Sequence, residues 1–160
     1  MSVDMFLELD SIDGEAQDDK LKGKIDILAW SWGMSQSGTT HMGSGGGAGK
    51  VNVQDLSITK YVDLSSTVLM KKCTTGEHIA SGRLLCRKAG GEQLEYIVIE
   101  FKDCIVTSVS TGGSGGEDRL TENVSLNFSQ YKVIYTEQTD KGGKGKQPEW
   151  AYDIAANKAL

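Results

Sequence analysis

Three long runs of strand-like composition each change, midway, the side on which their apolar residues fall. In Lys24–Met34, Ile25 and Ile27 are in phase, and then Leu28, Trp30, Trp32 and Met34 take the opposite parity. Val51 and Val53 give way to Leu56 and Ile58, and Val124, Leu126 and Phe128 give way to Tyr131, Val133 and Tyr135. Successive side chains of a strand point to opposite faces, so a flat, half-buried sheet cannot absorb such a switch. It demands a bulge, a bend between two sheets, a barrel corner, or burial on both faces. The pattern predicts a mostly β fold, a barrel or closed sandwich.

The rest of the chain fits that frame. Val3, Met5, Leu7 and Leu9 alternate as a strand with one buried face, Phe6 standing on the other, and Asp10–Leu21 reads as an acidic loop. Asp63–Thr75 is the one helix candidate, with Asp63, Ser65 or Ser66 to cap it and Gly76 to end it. Its stripe of Leu64, Val68, Leu69 and Cys73 suits a helix lying beside a β core. His78–Lys88 and Glu92–Asp103 flank Ala89-Gly90-Gly91, a hairpin signal, and Cys104–Ser110 reads as a further strand. Gly142–Gly145 reads as a flexible connector, and Trp150, Tyr152 and Ile154 as a last strand docking on the sheet. No repeat or boundary divides residues 1–160, which are expected to form a single domain.

One stretch has almost nothing to bury. Between Ser35 and Lys50 the only sizeable apolar side chain is Met42, and Gly and Ser dominate. Connections in compact domains are usually short, and a long one is functional or disordered. We expect this segment to touch something outside its own domain.

Composition excludes several function classes. The formal net charge is −5, and no basic block exceeds Lys71-Lys72, which argues against nucleic-acid partners. No apolar run reaches a membrane span, and the N-terminal residues lack the basic and apolar regions of a secretory signal, so a cytoplasmic origin is expected. The three cysteines, Cys73, Cys86 and Cys104, show no CxxC spacing and read as reduced thiols. Gly43–Lys50 approaches a phosphate-binding loop, but Ser44 and Val51 stand where Gly and Ser/Thr are required, and a strand-like run follows where a helix is needed. His41 and His78 have no catalytic companions in sequence, and the acidic loop lacks calcium-loop spacing. Neither catalytic set, metal site nor cofactor is expected.

The residues also carry a family resemblance. FLELDSIDGEAQD (Phe6–Asp18), KIDILAWSWGMSQ (Lys24–Gln36), QDLSITKYVDLSSTVLMKKCTTGEHI (Gln54–Ile79), LLCRKAGGEQLEYIVIEFKDCIVTSVSTGGSG (Leu84–Gly115) and TENVSLNFSQYKVIYTEQ (Thr121–Gln138) resemble, in order, the Hcp proteins of the type VI secretion system. The resemblance implies two packed β-sheets closing a barrel, with a short helix at the side, similar to phage tail-tube proteins. It implies homohexameric rings that stack into the inner tube, a spike protein at the tip, a contractile sheath around it, and effector proteins carried in the ring lumen. It implies export on sheath contraction without a signal peptide. On this reading Met34, Ser35, Gln36, Ser37, Gly38, Thr39, Thr40, His41, Met42 and Gly43 contact neighbouring subunits or rings. Ser31, alternating with core-facing Trp30 and Trp32, faces the channel. The sequence departs from the usual pattern in its glycine density at Gly43–Gly49, and in Ser66, where many relatives have Pro. An alternative from the aromatic-rich strands alone is a monomeric β-barrel that binds a small ligand.

Overall fold

The computed structural model describes residues 3–38, 48–88 and 93–160. In chain order its elements are β1 (Val3–Leu9), β2 (Ile25–Ser31), β3 (Met34–Gly38), β4 (Ala48–Val53), β5 (Leu56–Tyr61), α1 (Ser65–Thr75), β6 (Ile79–Lys88), β7 (Glu95–Gly112), β8 (Thr121–Tyr135), β9 (Glu149–Asp153) and β10 (Lys158–Ala159). The main sheet runs β10-β9-β8-β5-β2-β1-β6-β7, and β7 pairs back to β8, so six strands close a barrel. Every pairing is antiparallel.

The parity changes in the sequence have separate physical causes. In β2 the register shifts between Ile27 and Ala29. Leu28 is the extra residue of a bulge, which leaves it exposed and brings Trp30 back towards the core. The switch after Val53 marks a change of sheet, since β4 pairs with β3 and β5 pairs inside the barrel. In β8 the switch falls where the strand changes partner. β8 pairs with β5 up to Leu126 and with β9 from Gln130, and β7 follows it throughout. Phe101 and Cys104 of β7, and Phe128 and Tyr131 of β8, are all buried, so both strands reset phase together. Asp103 takes φ 55° at that point, the left-handed conformation that Asp tolerates better than most residues.

The barrel therefore has two halves that share β7 and β8. One consists of β2, β5 and the adjoining parts of β7 and β8. The other consists of β1, β6 and the remaining parts of β7 and β8, with β9 added to β8 outside the closed ring. Leu7, Ile25, Leu56, Ile58, Leu84, Ile99, Phe101 and Leu126 fill the interior. A second cluster lies on the outside of the second half. Phe6, Leu85, Val98 and Ile134 are successive cross-strand partners, and Ala16 and Leu21 of the 10–24 loop cover them. That loop is held from two sides: Asp18 pairs with Arg87, and the Glu15 carboxylate accepts the Leu64 N–H at 2.8 Å.

Four sequence expectations need correction. The helix runs from Ser65, not Asp63, with Leu64 at the cap position, yet Asp63 still satisfies its first turn, because its Oδ1 accepts the Ser65 N–H at 2.8 Å while Ser66 Oγ accepts the Asp63 N–H at 2.9 Å. The two strands expected on either side of Asp103 are one strand, β7, kinked at that residue. Gly142–Gly145 is a closed turn, with Gly142 at φ 84° and Thr139 N–H donating to Gly143 O at 2.8 Å. Val3 is exposed where burial was expected. The Ala89-Gly90-Gly91 turn lies outside the described residues, although the strands it joins pair as predicted.

Candidate assembly interface

β3 and β4 form a two-stranded sheet of their own, apart from the barrel. Met34 pairs with Val53, Ser35 with Asn52, Gln36 with Val51 and Gly38 with Ala48, the register shifting between Gln36 and Gly38. The Gln54 N–H donates to Gly33 O at 2.9 Å and closes the root of this arm. All five residues of β3 are exposed, Met34 included. Sequence explains this directly, since Ser, Gln and Gly have no apolar surface to drive them onto the barrel. A Cβ at Gly49 would fall 2.4 Å from Ser37 Oγ and 2.9 Å from Ser37 O, so the two strands approach as closely as they do because that residue is glycine. A lone two-stranded ribbon is marginal in water, and its outer edges carry unpaired backbone donors and acceptors.

The arm is anchored by an aromatic root. Trp32 lies edge-on to Tyr131, with ring centroids 4.8 Å apart, and 6.0 Å from Phe128, which stacks on Phe101 at 4.9 Å. Tyr131 ties three segments together. Its hydroxyl accepts the Trp150 indole N–H at 3.2 Å and donates to Met34 Sδ at 3.6 Å. Trp150 stacks with Tyr152 and is 52 % exposed, and Met34 beside it is 44 % exposed. The Trp32 indole N–H is buried with no acceptor among the described residues. Of the residues expected at an interface, Met34, Ser35, Gln36, Ser37 and Gly38 make up β3. Thr39, Thr40, His41, Met42 and Gly43 lie outside the described residues.

Ser31 is exposed at the end of β2, while Trp30 and Trp32 pack against the core, as the alternation required. The strand register adds what sequence spacing could not. Ser31 pairs with Ser57, Ser57 with Ser125 and Ser125 with Ser108. The next outward row is Ala29, Thr59, Asn123 and Ser110. This outer face of the first half carries small hydroxyl and amide groups, and neither row holds a charge.

The comparisons with known proteins bear on this arrangement. Residues 6–135 match the family model described as Type VI secretion system effector, Hcp. The chain belongs to the Hcp family. It is 56 % identical over 159 residues to Protein hcp1 of Pseudomonas aeruginosa, covering 98 % of each chain. It superposes with a TM-score of 0.82 on Hcp1 from Salmonella typhimurium, at 42 % identity and full coverage of both chains. The TM-score is 0.94 with a structure described as a type six secretion system protein, at 26 % identity, covering 99 % of this chain and 100 % of that one.

The other half of this Hcp barrel presents a different outer surface. Glu8, Arg83, Glu100 and Lys132 are successive cross-strand partners, a row of alternating sign. Arg83 Nε lies 3.3 Å from Glu8, and Lys132 Nζ lies 3.6 Å from Glu149. A cavity of about 760 Å³ opens on this row, rimmed by Lys24 and Leu160. Apolar side chains occupy most of the barrel interior.

Two buried cations escaped the sequence reading. Lys60 is fully buried and pairs with its cross-strand partner Glu122, also fully buried. Lys60 Nζ also reaches Tyr61 O at 2.9 Å and Asp63 Oδ1 at 3.0 Å, and Glu122 accepts Ser66 Oγ at 2.6 Å and Thr111 Oγ1 at 3.2 Å. The signal was present, since Lys60 falls in phase with Leu56 and Ile58, and Glu122 with Val124 and Leu126. Arg87 is buried under the 10–24 loop, on Asp18 and 5.0 Å from the Phe6 ring centroid, its Nε without a partner among the described residues. The Arg87 hydrogen bond holds the Asp18 carboxyl below its usual range. The thiols are free. Cys86 and Cys104 are buried, burial pushing Cys104 up to about 12, and Cys73 is half-buried.

Proposed function

We propose that the chain is a structural subunit of the type VI secretion tube. Six copies form a ring, rings stack within the contractile sheath behind the spike protein, and the tube leaves the cytoplasm for the outside when the sheath contracts. The observation that carries this reading is the arm: a ribbon on an Hcp-family chain whose β3 strand is exposed throughout and whose outer edges pair with nothing among the described residues, leaving them to a second copy. A heterologous contact of that kind closes into a ring or repeats as a filament. The hydroxyl face, with Ser31, lines the channel in this reading. Its two uncharged rows offer effector proteins hydrogen bonds from small hydroxyl and amide groups, with the Asp55 carboxylate beside them between Thr107 and Asn127. Size-exclusion chromatography with light scattering, followed by electron microscopy, tests the proposal. The expected result is hexameric rings; a species that stays monomeric at high concentration overturns it.

A further inference from the structure

The first half of the barrel has two unlike ends. At one end stands the arm, beyond Ser31 and Leu56. At the other, Tyr61 pairs with Thr121 and Thr121 with Gly112, and the chain leaves through Val62–Leu64 and the 113–120 loop. That second end is apolar where solvent-facing residues are usually polar. Leu64 is 65 % exposed, Leu120 is 48 % exposed, and Val62 is exposed beside Leu120, its N–H donating to Leu120 O at 2.9 Å. Acidic groups flank this apolar rim. Glu15 reaches it through the Leu64 N–H, and Glu117 and Asp118 are exposed on the loop. The loop's only cation, Arg119, is drawn aside over the Tyr61 ring at 3.7 Å. The arm is the opposite in character. Among residues 32–53 Lys50 is the only charged side chain, and it is exposed, with Met34 and Trp150 exposed at the root.

We infer that the rim of Val62, Leu64 and Leu120 is the receiving surface for the arm of a second copy in the next ring, with Lys50 meeting Glu117 and Asp118. The occupant follows from complementarity. A cationic ribbon with free backbone edges matches an acidic rim with uncovered leucines, and each is the counterpart the other lacks. The two surfaces lie at opposite ends of the same strands, so the contact cannot be self-complementary. It translates one subunit along the barrel wall and repeats. The inference rests on the stacked-ring reading and adds the residues that receive the arm.

Chemical cross-linking tests it on the full chain. Lys50→Cys and Leu120→Cys are combined with Cys73→Ser, leaving Cys86 and Cys104 buried, and the protein is treated with a short bis-maleimide. Electron microscopy then separates the outcomes. Covalently joined stacks of rings are the expected result. Isolated rings with no intermolecular link, or links confined within single rings, overturn the receiving surface while leaving the ring reading intact. Absence of rings in the unsubstituted chain overturns the ring reading and this inference with it. A charge reversal adds a second arm: Lys50→Glu weakens stacking about tenfold or more, and Glu117→Lys with Asp118→Lys restores it in the same chain. Failure of that restoration counts against the ion pairing.

Discussion

In the barrel, β5 buries Leu56, Ile58 and Lys60 in turn; in the arm, β3 buries none of its five residues. Both are antiparallel strands with ordinary cross-strand pairs. Backbone hydrogen bonding alone contributes little net stability, because water offers the same bonds to the unfolded chain. Burying a Leu or Ile side chain contributes about 1.5–3 kcal/mol. The barrel has that contribution many times over, and β3 lacks it. The difference teaches that β3 is held by pairing and by its aromatic root rather than by burial of its own side chains, which is the property the proposed assembly role uses.

Substitutions that separate the two regions should rank accordingly. Lys60→Met leaves Glu122 buried and unpaired and should cost about 3–5 kcal/mol in urea unfolding. The double variant Lys60→Met/Glu122→Leu should recover most of that loss, and an equal loss in both would mean that the pair is not the reason. Tyr131→Phe removes the one hydroxyl shared by barrel, arm and β9. It should cost about 0.5–1.5 kcal/mol and alter tryptophan fluorescence, because Trp150 loses its acceptor. Unchanged emission would show the arm root to be independent of the barrel.

Acid gives a subtler probe. The Asp18 carboxyl is held below its unfolded value by Arg87, so it contributes stability above about pH 4 that is lost as pH falls through the lower folded value. Asp18→Asn should flatten that part of the stability profile and leave the arm untouched. The smallest effect belongs to β3. Ser35→Ala with Gln36→Ala should change barrel stability by less than about 0.5 kcal/mol. A larger loss would mean that the arm helps to hold the barrel, and the comparison would collapse.

Much of the barrel was legible because burial leaves a period-two mark. The parity changes pointed to the bulge at Leu28, the arm's departure after Val53 and the reset between Phe128 and Tyr131. The alternation of Trp30, Ser31 and Trp32 placed Ser31 outside. Other features were written in long-range terms. Arg87 looks like any outward strand residue until the loop that covers it, whose Asp18 stands 69 residues earlier in the chain, is folded over it. The Asp103 kink hides because a charged residue at a strand end and one at a strand bend look alike in sequence. The serine row across four strands depends on register, which no single strand specifies. Lys60 and Glu122 were readable, since a charge in a buried phase needs a partner in a buried phase.

β8 carries a consequence of a mechanical kind. It is bonded to β7 along its whole length, to β5 at one end and to β9 at the other, and Tyr131 joins it to the arm. A pull along this strand loads its hydrogen bonds to β7 together, in shear, rather than opening them one by one. A thrust received at the arm is thereby shared by both halves of the barrel through a single member, as a keel distributes load to a hull.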